Sequence, residues 1–199
     1  MGLPKATLPF GPELMLQRVD RLLRDVVGPI VVVSAAEQTL PPLPAGTLFA
    51  RDEHPARGPL EGLRAGFKTM VGRCELVYVT SCDVPLLQPA FVRQLLSLAA
   101  GYDTVVPRED EFFHPLSAVY RPSVLSVVEE LLAADIRRPA QLLQRVATRS
   151  VPVEELRASD PELQTLRNLN SPADYAAALA SAGFELPAET AIALGLADR

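Results

Sequence analysis

Apolar positions in this chain keep two rhythms that alternate along most of its length. Leu16, Val19, Leu22, Leu23 and Val26 recur at helical spacing with arginines between them, predicting an amphipathic helix over Leu14–Val26 that ends at Gly28-Pro29. Ile30 to Val33 is an unbroken β-branched run of strand length. A proline-rich connection (Pro41, Pro42, Pro44) leads to a short strand over Thr47–Ala50, which meets Arg51-Asp52-Glu53. After the turn Arg57-Gly58-Pro59 the pattern predicts a helix over Leu60–Met70, a strand over Leu76–Thr80, a helix over Phe91–Ala99 and a strand over Thr104–Pro107.

The second half is less regular. Pro115–Tyr120 reads as a strand and Val124–Ala134 as a helix. Arg138-Pro139 opens a helix through Val146, and Ser150–Val153 is extended. Ser171-Pro172-Ala173-Asp174 is a capping box that launches a helix through Ala182, and Ala188–Leu196 is a short, weakly packed helix. Taken together, the elements predict one α/β domain over residues 1–199, with 187–199 as a loose tail. The expected core is a doubly wound, mostly parallel sheet with an antiparallel element in the second half.

Within that frame Leu76-Val77-Tyr78-Val79-Thr80-Ser81-Cys82-Asp83-Val84-Pro85 carries the most information. Four consecutive apolar residues predict a strand covered on both faces, and such sheets bind ligands beyond the carboxyl ends of their strands. Asp83 stands at that end. There it suits a hard cation such as Mg²⁺, or it caps the next helix; the segment alone leaves both readings open.

Composition narrows the partners. A chain of 199 residues, 48% hydrophobic and 22% charged, has enough apolar material for one full core. The net charge is −5 and no basic run occurs, which argues against nucleic acid and anionic membranes. No apolar run approaches the roughly 20 residues of a membrane helix, and Met1-Gly2-Leu3-Pro4-Lys5 lacks a signal-peptide pattern, so the expected location is the cytoplasm. Two cysteines eight apart (Cys74, Cys82) and two histidines (His54, His114) build neither a zinc site nor a disulfide framework. Lys5 and Lys68 are the only lysines.

Further candidates lie at element ends. Gly58 and Gly62 flank a helix start, where free amides and the helix dipole favour an anion, while Gly62 and Gly66 allow close approach of either a ligand or the sheet. Asp52-Glu53 ends a strand as acceptors for a base or ribose, or as solvated loop charges. Asn168 and Asn170 precede the capping box, where asparagine is common turn chemistry. His114-Pro115 is equally open. The Gly-x-Ser-x-Gly elbow, the Walker loop and the Gly-x-Gly-x-x-Gly fingerprint are all absent.

The order of these pieces adds a resemblance. Met1-Gly2-Leu3-Pro4-Lys5, Val31-Val32-Val33-Ser34, Asp52-Glu53, Gly58-Pro59-Leu60-Glu61-Gly62, Cys82-Asp83-Val84-Pro85, His114-Pro115-Leu116, Arg137-Arg138 and Asn168-Leu169-Asn170-Ser171-Pro172 form one such series. From Met1 to about Ala180 it resembles the molybdenum cofactor guanylyltransferases. Gly-Pro-Leu-x-Gly and Cys-Asp-x-Pro are more similar to the guanylyl branch than to the cytidylyl one.

The resemblance implies a Rossmann-like nucleotidyltransferase fold, GTP and molybdopterin as substrates, Mg²⁺ as cofactor, and acceptor molybdoenzymes or their chaperones as partners. It assigns Lys5 to the nucleotide phosphates and Gly2 to the last glycine of the phosphate loop. Ser34 falls where the family often has a guanine-contacting asparagine, and Asp52 matches a nucleotide contact. Asp83 matches the Mg²⁺ ligand, and Asn168 and Asn170 match the pterin side. Rival readings are the same transfer with CTP or a sugar phosphate, and a non-catalytic nucleotide-binding relic.

In one respect the chain departs from the family. Members begin with an apolar strand, Leu-Ala-Gly-Gly, a short polar stretch and Arg-Met-Gly before the lysine, whereas this sequence starts at the Met-Gly. The resemblance therefore implies a natural protein about 10–20 residues longer, the length of a strand and loop.

Overall fold

A computed structural model describes residues 3–52 and 58–196. Pro9–Phe10 (β1) and Glu13–Leu14 (β2) form a small antiparallel hairpin. Gly11 makes its turn at φ +64°, where a Cβ would sit 2.6 Å from the Phe184 ring, so only glycine fits there. The hairpin feeds Met15–Arg24 (α1), whose Leu14 amide donates to Gln17 Oε1 at 3.0 Å. Met15, Leu16, Val19 and Leu23 are buried along one face, as their spacing predicts. Asp20 is buried too, held in a two-pronged pair by Arg24 at 2.7 and 3.2 Å.

Val31–Ser34 (β3) pairs in parallel with Leu48–Arg51 (β4), Val31 opposite Leu48. Pro59–Met70 (α2) follows, with Gly58 before it at φ +83° and Pro59 at its first turn. Then come Val77–Thr80 (β5), Pro89–Ser97 (α3), Thr104–Glu109 (β6), Phe112–Phe113 (β7), Ser117–Tyr120 (β8) and Leu125–Ala133 (α4). Pro139–Leu143 (α5), Thr148–Pro152 (β9), Val153–Leu156 (α6), Pro172–Ser181 (α7) and Ala188–Ala193 (α8) complete the order.

The larger sheet places β8 between β5 and β6, antiparallel to both, while β9 runs parallel to β6 over five residue pairs. The α/β class matches the expectation; the sheet is mixed, with β7 and β8 antiparallel to β6 and only the β6–β9 pairing parallel. Strand β7 and the short helix α6 were not expected, and two further features escaped the sequence reading. The β1–β2 hairpin is too short to show a period. Pro107 looked like a strand end, yet β6 continues through it: its carbonyl accepts from the His114 amide at 2.9 Å, and its position pairs with Val151. Proline removes one donor from a ladder but no acceptor.

Side chains on this sheet alternate between two cores. Tyr78, Val105 and Val119 face Val19, Leu23, Phe91, Val92 and Leu95 from α1 and α3. Their neighbours Val106, Ala118 and Tyr120 face Leu60, Leu63, Phe67, Val128 and Leu131 from α2 and α4. Burial on both sides explains the uninterrupted apolar runs. A third core joins Phe10 and Met15 to Tyr175, Ala178 and Leu179 of α7. Leu194, in the stretch expected as a loose tail, belongs to this core. It brings the start of the chain against the segment that precedes α7.

β3 and β5 are not hydrogen-bonded to each other. Between them lies a cavity of about 470 Å³, lined by Val31, Val32 and Val33 on one side and Val77, Tyr78 and Val79 on the other.

Candidate active site

β5 ends at Thr80, and the turn Ser81-Cys82-Asp83-Val84-Pro85 lies just beyond it. Fully buried Val84 anchors this turn in the first core. The Pro85 carbonyl accepts from Arg18 Nε at 2.7 Å. Arg18 is itself fixed, its guanidinium 4.9 Å from the Phe10 ring centre and 5.6 Å from that of Phe184. The Asp83 carbonyl accepts from the Leu169 amide at 2.9 Å, which ties the turn to the strand of chain carrying the two asparagines.

Four of the expected site residues meet here. Asp83 Oδ2 accepts from Lys5 Nζ at 2.7 Å, and Lys5 Nζ also donates to Asn170 Oδ1 at 2.9 Å. Asp83 Oδ1 accepts from Asn168 Nδ2 at 2.7 Å and from the Ser81 hydroxyl. Asn168 Nδ2 reaches Ser81 Oγ as well, at 3.1 Å. The capping box sets the position of Asn170: Asp174 accepts from the Asn170 and Ser171 amides at 3.1 and 2.8 Å, and its own amide donates to Ser171 Oγ. Asp174 thus has two tasks, capping α7 and aiming the preceding loop.

Burial alone would raise the Asp83 carboxyl; the Lys5 ammonium and the donors from Ser81 and Asn168 outweigh it and hold the group below its ordinary value. Asp83 is therefore a carboxylate at neutral pH. Cys82 moves the other way, its thiol pushed up by burial and by the Asp83 charge, which leaves it a poor nucleophile. Burial lowers His114, outweighing the pull of Glu109 3.7 Å away, so the imidazole on the β7–β8 connection is neutral at pH 7.

Ser34 and Asp52 lie on the neighbouring rim. The Asp52 amide donates to the Ser34 carbonyl at 2.9 Å, and both residues line the same cavity as Ser81, Cys82, Gly58 and Gly62. A Cβ on Gly62 would meet no atom within 4 Å, and one on Gly66 would make ordinary contact with Val33 Cγ2 at 3.5 Å. Helix–sheet packing therefore does not require glycine at Gly62. Gly2, Glu53 and His54 fall outside the described residues. Sequence reasoning missed Ser81, Asp174 and Arg18. Asp174 was visible as a cap but not as a clamp, while Arg18 looked like one more arginine on a helix face.

Among the described residues no cluster of three or more carboxylate, histidine or cysteine groups could hold a metal. The donors around Asp83 are one carboxylate, a hydroxyl and two amide groups, all able to present oxygen. Such a set fits Mg²⁺, which keeps several waters and takes one or two carboxylates together with substrate phosphates.

Comparison with known proteins shows the family. The family described as MobA-like NTP transferase domain matches residues 1–153. A probable molybdenum cofactor guanylyltransferase of Pelotomaculum thermopropionicum is 30% identical over 87% of this chain and 83% of its own. One from Methanosarcina mazei is 34% identical over 85% and 80%. The chain belongs to the MobA-like NTP transferases, in the molybdenum cofactor guanylyltransferase branch.

The fold of the family is also recovered. The crystal structure of molybdopterin-guanine dinucleotide biosynthesis protein A from Archaeoglobus fulgidus superposes with a TM-score of 0.75 at 23% identity, covering 92% of each chain. The 2-C-methyl-D-erythritol 4-phosphate cytidylyltransferase of Thermus thermophilus gives 0.66 at 17% identity, over 90% of this chain and 94% of that one. Family membership makes the protein a nucleotidyltransferase, as the ordered motifs led one to expect. No helix among the described residues is long and apolar enough to cross a membrane.

Proposed function

We propose that this protein transfers GMP from GTP to molybdopterin, forming the guanine dinucleotide form of the molybdenum cofactor and releasing pyrophosphate. A terminal phosphate oxygen of molybdopterin attacks the α-phosphorus of GTP as the bond to the pyrophosphate oxygen breaks. The observation that carries this reading is the convergence of Lys5, Asp83, Asn168 and Asn170 beyond the end of β5.

Such transfers ask for positioning and charge neutralisation more than for covalent chemistry. Lys5, a point charge on a flexible stem, neutralises the leaving phosphates. Asp83, with Ser81 beside it, would hold Mg²⁺, which supplies Lewis-acid polarisation of the phosphoryl oxygens when bound. Ser34 and Asp52, on the cavity rim, face the nucleoside, and the resemblance assigns Gly2, which lies outside the described residues, to the phosphates. Asn168 and Asn170 orient the pterin phosphate.

The reading includes a further apolar strand seated between β3 and β5. The cavity between β3 and β5 supports it, because its walls are two strand edges and a row of valines. Cytoplasmic location, and delivery of product to acceptor molybdoenzymes or their chaperones, belong to the same proposal. The test is pyrophosphate release from GTP or CTP with molybdopterin, using protein carrying its natural N-terminus. GTP-dependent release supports the reading. A preference for CTP redirects it to the cytidylyl reaction, and GTP binding without transfer points to the relic.

A further inference from the structure

Both carboxylate oxygens of Asp83 already accept hydrogen bonds in this structure. Oδ2 is taken by the Lys5 ammonium, and Oδ1 by Ser81 and Asn168. Lys5 in turn is held at both ends of its reach, by Asp83 at 2.7 Å and Asn170 at 2.9 Å. The pair is electrically neutral and partly buried, with side-chain exposures of 27% and 12%. A divalent cation arriving alone would compete with the ammonium for the same carboxylate oxygen, leaving three positive charges beside one negative in a half-buried site. A cation arriving with a polyphosphate meets different conditions. The phosphates give the ammonium a better partner, and Lys5 is free to swing because its stem leaves a single short turn, Lys5–Thr7, and its head is more exposed than its partner's.

We propose that Lys5 is an internal counter-ion occupying the cation position of Asp83, so that the carboxylate accepts a divalent metal only after a polyphosphate has drawn Lys5 away. Metal binding and nucleotide binding are then coupled through one side chain, and neither Asp83 nor Asn170 has to change backbone position. The coupling rests on the assignment of Asp83 as metal ligand made above.

Mn²⁺ retained by the protein in equilibrium dialysis at a matched free Mn²⁺ concentration, with and without tripolyphosphate on both sides of the membrane, tests it without turnover. In protein carrying its natural N-terminus, Mn²⁺ should bind weakly by itself and about 10-fold or more tightly when inorganic tripolyphosphate is added, within the range typical of coupled sites. Lys5→Met should bind Mn²⁺ about 10-fold more tightly than the parent without tripolyphosphate, and the added anion should then give little further gain. Lys5→Gln, of nearly the same length and polar, should behave like Lys5→Met, and Asp83→Asn should remove the tight binding from every form. Equal Mn²⁺ affinity in the parent and both Lys5 variants would overturn the counter-ion role while leaving the metal site intact. Absence of Mn²⁺ binding in all forms, with and without tripolyphosphate, would overturn the metal assignment and the coupling with it.

Discussion

Lys5 Nζ and Asp83 Oδ2 lie 2.7 Å apart although 78 positions separate them in sequence. Two packing events make that possible. The third core fastens Leu8, Phe10 and Met15 to α7, which carries the start of the chain to the edge of the sheet. The first core buries Val84 and holds the turn that presents Asp83. The ion pair is therefore a product of tertiary structure, and its properties can be tested separately from those of the cores.

One consequence is a pH dependence. The folded-state value of Asp83 lies below that of an unfolded aspartate, about 3.9. Its contribution to stability is thus complete above that value and is lost as pH falls through the lower, folded value. Urea unfolding of the parent should show this loss on acidification, and Asp83→Asn should unfold with a flatter pH dependence in the same acid range. Identical acid slopes would mean that the pair does not stabilise the fold.

Gly62 separates packing from binding. An added methyl meets no protein atom within 4 Å, and alanine is favoured over glycine inside a helix by about 1 kcal/mol. Gly62→Ala should therefore keep or raise the urea midpoint while raising the KM for GTP. A fall in stability would return this glycine to a structural role.

Arg18 should matter through Pro85. Replacing it by Met keeps much of the contact with Phe10 and Phe184 but leaves the Pro85 carbonyl without its donor. The expected cost is about 1–3 kcal/mol of stability, the usual penalty for an orphaned buried acceptor. Chemical denaturation measures it, and an unchanged midpoint would show that water replaces the guanidinium at no cost.

The cavity between β3 and β5 predicts the effect of an upstream strand. Protein extended by its natural N-terminus should exchange the amide hydrogens of Val31–Val33 and Val77–Val79 about tenfold more slowly than the 199-residue chain, because both edges gain a partner. The same extension carrying Gly-Ser repeats in place of the apolar segment should give no protection. Equal exchange with and without the natural extension would show that the slot takes no strand.

Much of this architecture was legible in the chain. The valine runs at β3 and β5 announced strands, although most of their residues are only half-buried because both line the cavity, and the Gly28-Pro29, Pro59 and Ser171-Pro172 boundaries marked where helices stop and start. The ordered motifs assign Lys5 and Asp83 to the nucleotide and metal and Asn168 and Asn170 to the pterin side, and the fold joins these four by hydrogen bonds. The rest was hidden for physical reasons. A hairpin of two-residue strands has no period, and Pro107 forfeits one hydrogen bond without leaving its strand. Arg18, Ser81 and Asp174 act on groups distant in sequence or through backbone atoms, and residue type does not encode such contacts.

Guanylyl transfer is proposed to depend on Asp83. Its most direct test is pyrophosphate release from GTP with molybdopterin and Mg²⁺, comparing the parent with Asp83→Ala, both carrying the natural N-terminus. Turnover should prefer GTP over CTP and fall by about 10²–10³-fold in the variant, the range expected when an electrostatic stabiliser is removed. Undiminished turnover by Asp83→Ala would contradict the account.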